Sequence, residues 1–335
     1  MTTSKPRVYV IGTGGSISCV GDSRLDLINY NYADRHLTIE EMLARIPEAG
    51  EFAEIRAEQF LNVYGGDVAP SQWLALARRI NQIFRDDSSA AGVVVTHGTS
   101  TLEETAYFLN LTVKSSKPVV ITGAMRPPTG LGTDADINLF DAIRVAACPE
   151  AVGKGALVVL NNEIQAARDA VKTSTSRVET FKSGELGFLG YADADGKVVF
   201  YRASARAHTA ATEFDVDQIT ALPRVDIAYA YSGVDGVAVR ALVEAGCAGI
   251  VGAGLGSGSA PRAFLDALRA ARDRGISVVM ASQSGNGRVM AKRAFVERGF
   301  AVADNSPPKK ARILLMLALA RTRDASEVQR MILTY

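Results

Sequence analysis

The sequence is poor in the residues that build metal sites and disulfide frameworks, with three cysteines and three histidines among 335 residues. The cysteines are widely spaced and odd in number, so they cannot all pair. No CxxC motif or Cys/His cluster occurs, and no two histidines have the spacing of a metal-binding pair. We therefore expect a protein without a metal site. The residues concerned are Cys19, Cys148, Cys247, His36, His97 and His208.

Long apolar runs and an excess of charge are also missing. The longest apolar stretches, such as residues 313–320, are far too short to cross a bilayer. The net charge of +1 gives no basis for binding nucleic acid or an anionic membrane surface. The N-terminal residues lead directly into a predicted strand at Arg7–Ile11, without the pattern of a signal peptide. We expect a cytoplasmic protein.

Hydrophobic patterning predicts an α/β protein. Short apolar strands alternate with amphipathic helices, as in a doubly wound, mainly parallel sheet. At 335 residues the chain exceeds the usual size of a single core, and we expect two domains. These are an N-terminal catalytic domain (1–202), a linker (203–224) and a smaller C-terminal α/β domain (225–335). Predicted strands include 52–62, 93–95, 118–122, 155–160, 225–231, 249–253 and 277–281, and a hairpin covers 191–201. Predicted helices include 70–84, 136–147, 237–245, 261–274 and 309–322.

The segment 92–109 has the clearest organisation. Val93–Val95 form a buried strand, and residues 96–101 (THGTST) turn abruptly into a helix that begins at Leu102. Glu103 lies in the first turn of that helix, where the helix dipole favours an acid. Hydroxyl residues at the carboxyl end of a strand can cap a helix or can line a ligand crevice. The local pattern alone leaves both interpretations open.

A glycine-rich turn, Gly12–Ser16, follows the first strand. It lacks the GxGxxG spacing, no GK[ST] follows it, and residues 19–27 show no helical pattern, so a nucleotide site is not predicted. The glycines instead allow the backbone to approach a small ligand closely, with the Ser16 hydroxyl beside it.

Several motifs together resemble the bacterial L-asparaginase/glutaminase-type amidohydrolases. They are GTGGSIS (12–18), VVVTHGTSTLEETAYFLNLTV (93–113), GAMRPP (123–128) and RDAVKTSTSRVETFKS (168–183). The resemblance covers essentially the whole chain. It implies a larger N-terminal and a smaller C-terminal α/β domain, no cofactor, and a small-molecule amide as substrate. It also implies a homotetramer built from intimate dimers, with active sites shared between subunits.

The resemblance also implies catalytic roles. Ser16 takes the position of the nucleophilic threonine, and serine is a competent nucleophile for the same acyl transfer. Thr99 matches the second catalytic threonine, and Lys172 matches the lysine that supports it. The tyrosine that helps to activate the nucleophile is Tyr30 or Tyr32, and we prefer Tyr30.

Residues that would recognise the substrate depart from the family pattern. Ser100 replaces an aspartate that binds the α-ammonium of the amino acid, and Gly65–Gly66 replace a Ser–Gln pair. The asparagine contributed by the partner subunit falls near Ser259, and the partner's glutamate has no counterpart in the basic segment 282–293 (SQSGNGRVMAKR). Gly15 and Ala124 complete the implied substrate-binding positions.

These departures predict hydrolysis of a carboxamide whose α-position carries no free ammonium. One alternative is an ordinary L-asparaginase in which Ser100 and a water molecule replace the aspartate. Another is a catalytically weak ligand-binding or regulatory homologue, although the retained reacting groups argue against it. A third, the ammonia-releasing subunit of a tRNA-dependent amidotransferase, normally needs an extra N-terminal domain.

Overall fold

A computed structural model of the chain describes residues 5–30 and 35–335. The chain divides into two compact units, Met1–Val216 and Asp217–Tyr335. The division falls inside the segment 203–224, where the sequence places the linker. Two short 3₁₀ turns, Thr209–Ala211 and Val216–Gln218, lie within that segment.

The N-terminal unit alternates strands and helices through its first half, and then continues as short strands. Its elements in chain order are β1 (Arg7–Gly14), α1 (Ile39–Leu43), β2 (Glu54–Val63), α2 (Pro70–Asp86), β3 (Ala90–Thr96), α3 (Leu102–Thr112), β4 (Val119–Thr122), α4 (Ala135–Ala147), β5 (Ala156–Leu160), β6 (Glu163–Ala166), β7 (Val171–Lys172), β8 (Phe181–Lys182), β9 (Gly190–Ala192) and β10 (Val198–Phe200).

Eight of these strands form one sheet in the order β10-β9-β6-β5-β4-β3-β1-β2. The five strands from β5 to β2 are parallel, and β6, β9 and β10 are antiparallel. Because β1 connects to β2 on one side and β3 to β4 on the other, the winding direction reverses between β1 and β3. A crevice at the carboxyl ends of the strands opens at such a point, and it is the usual ligand site of this fold class.

The central strands are buried on both faces, as their β-branched composition predicts. Val93, Val94 and Val95 of β3 are fully buried. The predicted helix at 102–109 is confirmed, but it is buried more completely than its pattern suggested. Ten of the eleven residues of α3 are buried, including Glu103. A buried acid on a helix that the sheet and its neighbours cover needs a hydrogen-bonding partner.

The C-terminal unit is a second α/β layer structure, confirming the prediction for its class. Its four parallel strands are in the order β11-β12-β13-β14, and Ile250 and Val279 of the two central strands are fully buried. In chain order its elements are β11 (Val225–Tyr229), α5 (Val237–Glu244), β12 (Gly249–Gly254), α6 (Arg262–Asp273), β13 (Ser277–Ser282), α7 (Arg293–Val296), β14 (Ala301–Val302), α8 (Pro308–Leu319) and α9 (Ala325–Thr334).

Candidate active site

The loop that carries Ser16 follows β1 and turns sharply at two glycines. Gly14 and Gly15 have φ of +100° and +87°, a region that side chains rarely adopt. The Gly15 N–H donates to the carbonyl of Val63 at the end of β2, at 3.0 Å. The loop is therefore fixed against the neighbouring strand, with Ser16 partly exposed at the carboxyl edge of the sheet.

Three glycines bring three loops into direct backbone contact. A Cβ built on Gly15 would lie 2.2 Å from the Cα of Gly98, and one built on Gly98 would lie 2.5 Å from the Cα of Gly65. Real side chains do not fit at such distances, so all three positions require glycine. We call Gly15, Gly65 and Gly98 the glycine contact. It places the residues that flank it, among them Ser16 and Thr99, around one point.

Thr99 and Lys172 are hydrogen-bonded, with 2.7 Å between Oγ1 of the threonine and Nζ of the lysine. Thr99 is 4% exposed, and Lys172 is partly buried. A charged amine donates to the hydroxyl in this geometry, whereas a neutral amine can accept the hydroxyl proton. The pair can therefore move a proton at the edge of the glycine contact.

The Lys172 backbone has a second anchor that the sequence did not reveal. Its N–H donates to Oε2 of Glu103 at 2.7 Å. Glu103 is 3% exposed and lies four residues beyond Thr99, in the first turn of α3. From sequence alone, a place in the first turn of a helix is enough to explain an acid at position 103. No pattern in the sequence therefore indicates its contact with Lys172.

Behind the glycine contact a buried histidine holds the peptide between Gly98 and Thr99. Nδ1 of His97 lies 2.9 Å from the carbonyl oxygen of Gly98, which can only accept, so Nδ1 carries the proton. Nε2 lies 2.8 Å from Oγ1 of Thr105, which in turn accepts from Nε1 of Trp73 at 2.8 Å. Complete burial lowers the pKa of His97 to about 4, which keeps the ring neutral at physiological pH.

The loop after β4 closes another side of the site. A Cβ on Gly123 would lie 3.1 Å from Cγ2 of Thr99, so the loop that carries the fully buried Ala124 runs directly beside that threonine. Asp134 stabilises the loop because its carboxylate accepts the backbone N–H of Met125 at 3.0 Å and that of Arg126 at 2.9 Å.

The Tyr30 side chain, 7% exposed, points at this same loop. Its hydroxyl donates to the carbonyl of Met125 at 3.4 Å. Tyr32, the other candidate from the sequence, lies outside the described residues.

The positions predicted to recognise the substrate, Gly65, Gly66 and Ser100, form a rim beside the glycine contact. Ser100 and Gly66 are exposed, and Gly65 is buried in the contact itself. The ring of Tyr64, 46% exposed, lies over Gly66, where a Cβ would be 3.0 Å from the ring. Across the described ranges 5–30 and 35–335, no group of three or more His, Cys, Asp or Glu residues is arranged to hold a metal ion. Within those ranges, no helix has the length and apolar character needed to cross a membrane.

Sequence comparison assigns this fold and loop arrangement to a known group of hydrolases. The model of the asparaginase N-terminal domain matches residues 7–206, and that of the glutaminase/asparaginase C-terminal domain matches residues 224–332. The chain belongs to the asparaginase/glutaminase family. It is an amidohydrolase of the asparaginase type, a hydrolase that acts on linear amides.

Relatives match along nearly the full chain. L-asparaginase 2 of Bacillus subtilis is 42% identical over 324 residues, covering 97% of this chain and 85% of the relative. A probable periplasmic L-asparaginase of Haemophilus influenzae is 41% identical over 326 residues, covering 97% and 91%. The crystal structure of a probable cytoplasmic L-asparaginase from Campylobacter jejuni superposes with a TM-score of 0.91 at 41% identity, covering 99% of this chain and 100% of that one.

Proposed function

We propose that this amidohydrolase releases ammonia from a side-chain carboxamide through an acyl-enzyme on Ser16. The observation that carries the proposal is the 2.7 Å contact between Lys172 Nζ and Thr99 Oγ1, beside the loop that presents Ser16. A hydroxyl next to an amine that can take its proton is the arrangement that acyl transfer requires.

The reaction has two steps. Ser16 Oγ bonds to the amide carbon and gives up its hydroxyl proton, the C–N bond breaks, and the leaving nitrogen takes up that proton and departs as ammonia. Backbone N–H groups near Gly15 and Ser100 hold the oxyanion. Water, activated through Thr99 and Lys172, then attacks the ester and frees Ser16 and the carboxylic acid. Tyr30 is the proposed tyrosine that helps to activate Ser16.

The nucleophile assignment is tested by Ser16→Ala and by trapping the acyl-enzyme. Wild-type protein quenched with acid during turnover should gain the mass of the acyl group on the peptide that contains Ser16. The Ser16→Ala variant should lose turnover and show no such adduct. Retention of most of the activity by that variant would show that another residue is the nucleophile.

The residues on the rim of the site support a proposal for the substrate class. Ser100 is uncharged, and Gly65 and Gly66 offer no side chain. A charge-assisted hydrogen bond contributes about 1.5–3 kcal/mol, so losing two acidic ligands weakens binding of a free amino acid by roughly a hundredfold or more. We propose a substrate whose α-position carries no free ammonium.

One observation favours a second candidate, an ordinary L-asparaginase. Asp67 is exposed in the 3₁₀ turn Gly65–Asp67 and places a carboxylate on the same rim as Ser100. This carboxylate could bind an ammonium in place of the family's aspartate. If so, Asp67→Asn would raise the KM for L-asparagine at least tenfold and leave turnover of succinamate, which has no ammonium, unchanged.

Ammonia release from a panel of amides separates the two candidates. L-asparagine, L-glutamine and succinamate are the informative members, because succinamate is asparagine without its ammonium. Our proposal predicts a higher kcat/KM for succinamate than for either amino acid. Substantial turnover of L-asparagine with a KM well below millimolar would overturn the proposed substrate class but leave the amidohydrolase chemistry intact.

Assembly and location are also proposals. The family resemblance supports a homotetramer of intimate dimers, which sedimentation velocity on the purified protein would test. The Campylobacter jejuni protein, a probable cytoplasmic L-asparaginase, supports a cytoplasmic location, while the Haemophilus influenzae relative is a probable periplasmic one. Cell fractionation of the native host decides between the two compartments.

A further inference from the structure

Lys172 lies on a very short piece of regular structure. Strand β7 has two residues and pairs with β8, which also has two. An isolated two-stranded ribbon is at best marginally stable in water, even when its strands are longer than these. The position of Lys172 therefore depends on the contacts that hold this ribbon to the rest of the unit.

Two buried polar side chains make such contacts, one for each strand. Gln165 of β6 donates from Nε2 to the carbonyl of Phe181 in β8, and its Oε1 accepts from Ser183 at 2.7 Å. Glu103 of α3 accepts the N–H of Lys172 in β7. The Gln165 contact fixes the strand opposite the lysine, and the Glu103 contact fixes the lysine itself.

The Glu103 contact has a further property, because α3 begins directly after the loop that carries Thr99. One continuous segment, 99–103, therefore contacts Lys172 twice. Thr99 bonds its Nζ, and Glu103 bonds its backbone N–H, both at 2.7 Å. Both contacts come from one loop and the helix that directly follows it. They therefore fix how far the lysine side chain extends toward the threonine hydroxyl.

From this geometry we infer that Glu103 is a positioning residue of the active site, which holds Lys172 so that its amine meets the Thr99 hydroxyl. The inference rests on the proposed proton-transfer role of Thr99 and Lys172. Glu103 acts through its acceptor oxygen on the backbone N–H of Lys172. A displacement of about 1 Å at a reacting group can cost about a hundredfold in rate.

The test compares Glu103→Ala with Glu103→Gln. Alanine removes the acceptor, while glutamine keeps an oxygen at the same reach and removes only the charge. We expect Glu103→Ala to lower kcat by about 10- to 100-fold with KM changed less than about threefold, because the displaced group acts in the chemical step. Glu103→Gln should keep kcat within about threefold of wild type, because the acceptor that positions the lysine is retained.

Asn81→Ala is the matched control. Asn81 is buried, and its Oδ1 accepts the backbone N–H of another lysine, Lys114, at 2.7 Å in the same unit. This variant measures the stability that is lost when a buried acceptor outside the site is removed. Equal kcat values for Glu103→Ala and Asn81→Ala would overturn the inference. So would an equal loss in Glu103→Gln and Glu103→Ala, which would assign the effect to charge.

A second measurement does not depend on turnover. Amide hydrogen exchange at Lys172 should be at least tenfold faster in Glu103→Ala than in wild type and restored in Glu103→Gln. Unchanged exchange in Glu103→Ala would show that Glu103 does not anchor Lys172. If wild-type protein hydrolysed no amide, the proposed function would fail, and the exchange rates would still decide whether the anchor exists.

Discussion

Oγ1 of Thr105 lies 2.8 Å from Nε2 of His97, the ring nitrogen that carries no proton, and His97 is 1% exposed. The neutral ring accepts from Thr105 and donates to the carbonyl of Gly98. A protonated ring would carry a hydrogen on Nε2 and a charge with no anion at either nitrogen. Protonation would leave the Nδ1 bond to Gly98 in place but would break the bond that Nε2 accepts from Thr105, so the complete arrangement requires the neutral ring.

We predict that His97 stays neutral to unusually low pH. Burial lowers its pKa from 6.5 to about 4, so the imidazole ¹⁵N shifts should remain those of a neutral ring at pH 5. The His97→Asn spectrum assigns the resonances by their disappearance. A titration midpoint above pH 6 would show that the ring is solvated or paired with an acid.

This pKa shift also makes stability depend on pH. The unfolded chain protonates His97 below about pH 6.5 and the folded chain only near pH 4, so stability is lost as the pH falls between these values. The full loss is about 3 kcal/mol. The difference in free energy of unfolding between wild type and His97→Asn isolates this term from other titrating groups, and it should shrink between pH 7 and pH 4.5. A constant difference would contradict the assignment.

Thr99 and Lys172 should behave as one unit. We expect Lys172→Met to lower kcat by about a hundredfold or more, because proton transfer by a positioned group contributes about 10²–10⁴-fold. Thr99→Val should have a similar effect. The double variant should be no worse than either single one, because each substitution removes the same function. Steady-state kinetics on the best amide of the panel measures all three, and additive losses would show that the residues act separately.

Gly98→Ala should damage the site through backbone geometry alone. Its Cβ would lie 2.5 Å from the Cα of Gly65, so one of the two loops must move. Overpacking of this kind costs about 1–3 kcal/mol in stability, and the displaced loops should reduce kcat as well. Gly50→Ala is the control, because a Cβ there meets no atom within 4 Å. Chemical denaturation and kinetics on both variants check the prediction, and similar behaviour of the two would refute it.

Asp134→Ala should loosen the loop that carries Ala124. The carboxylate accepts two backbone N–H groups and Nδ2 of Asn138, and is 8% exposed. Leaving buried donors unpaired costs about 1–3 kcal/mol each, so we expect a loss of at least that size and a higher KM. Asp136→Ala, which removes a half-exposed pair with Arg45, should cost at most about 1 kcal/mol. Equal losses in the two variants would contradict the bracing role.

Most of the architecture could be predicted from the sequence because the buried strands and their turns have strong local patterns. Val93–Val95 and the glycines after β1 are examples. Strand β6 was missed, since EIQA (163–166) is short and polar and becomes a strand only by pairing beside β5. Helix α9 was also missed, although Asp324 caps it by accepting from Ser326 and Glu327, and its buried residues recur at helical spacing.

The residues of the candidate site also fall into two groups, those that lie in recognisable motifs and those that act through a contact between distant segments. Ser16, Thr99 and Lys172 are predicted as catalytic residues because they lie in motifs with family-specific surroundings, and these roles stay predictions. Glu103 was interpreted only as an acid in a first helical turn. Its bond to the Lys172 N–H joins residues 69 positions apart, and no local pattern encodes a pairing at that separation. A motif within one segment can suggest a role for its residues, whereas a contact between two distant segments leaves no signal in either one.

The glycine contact separates the packing of the loops from the choice of the side chains beside them. Gly15, Gly65 and Gly98 hold the loops of Ser16 and Thr99 through main-chain packing, so this contact does not depend on the side chains at residues 64, 66 and 100. Residues 64, 66 and 100 lie beside that contact and are exposed. Side chains can therefore be exchanged at these three positions without disturbing the main-chain packing of the three glycines, so the surface beside the contact can vary while the contact stays fixed.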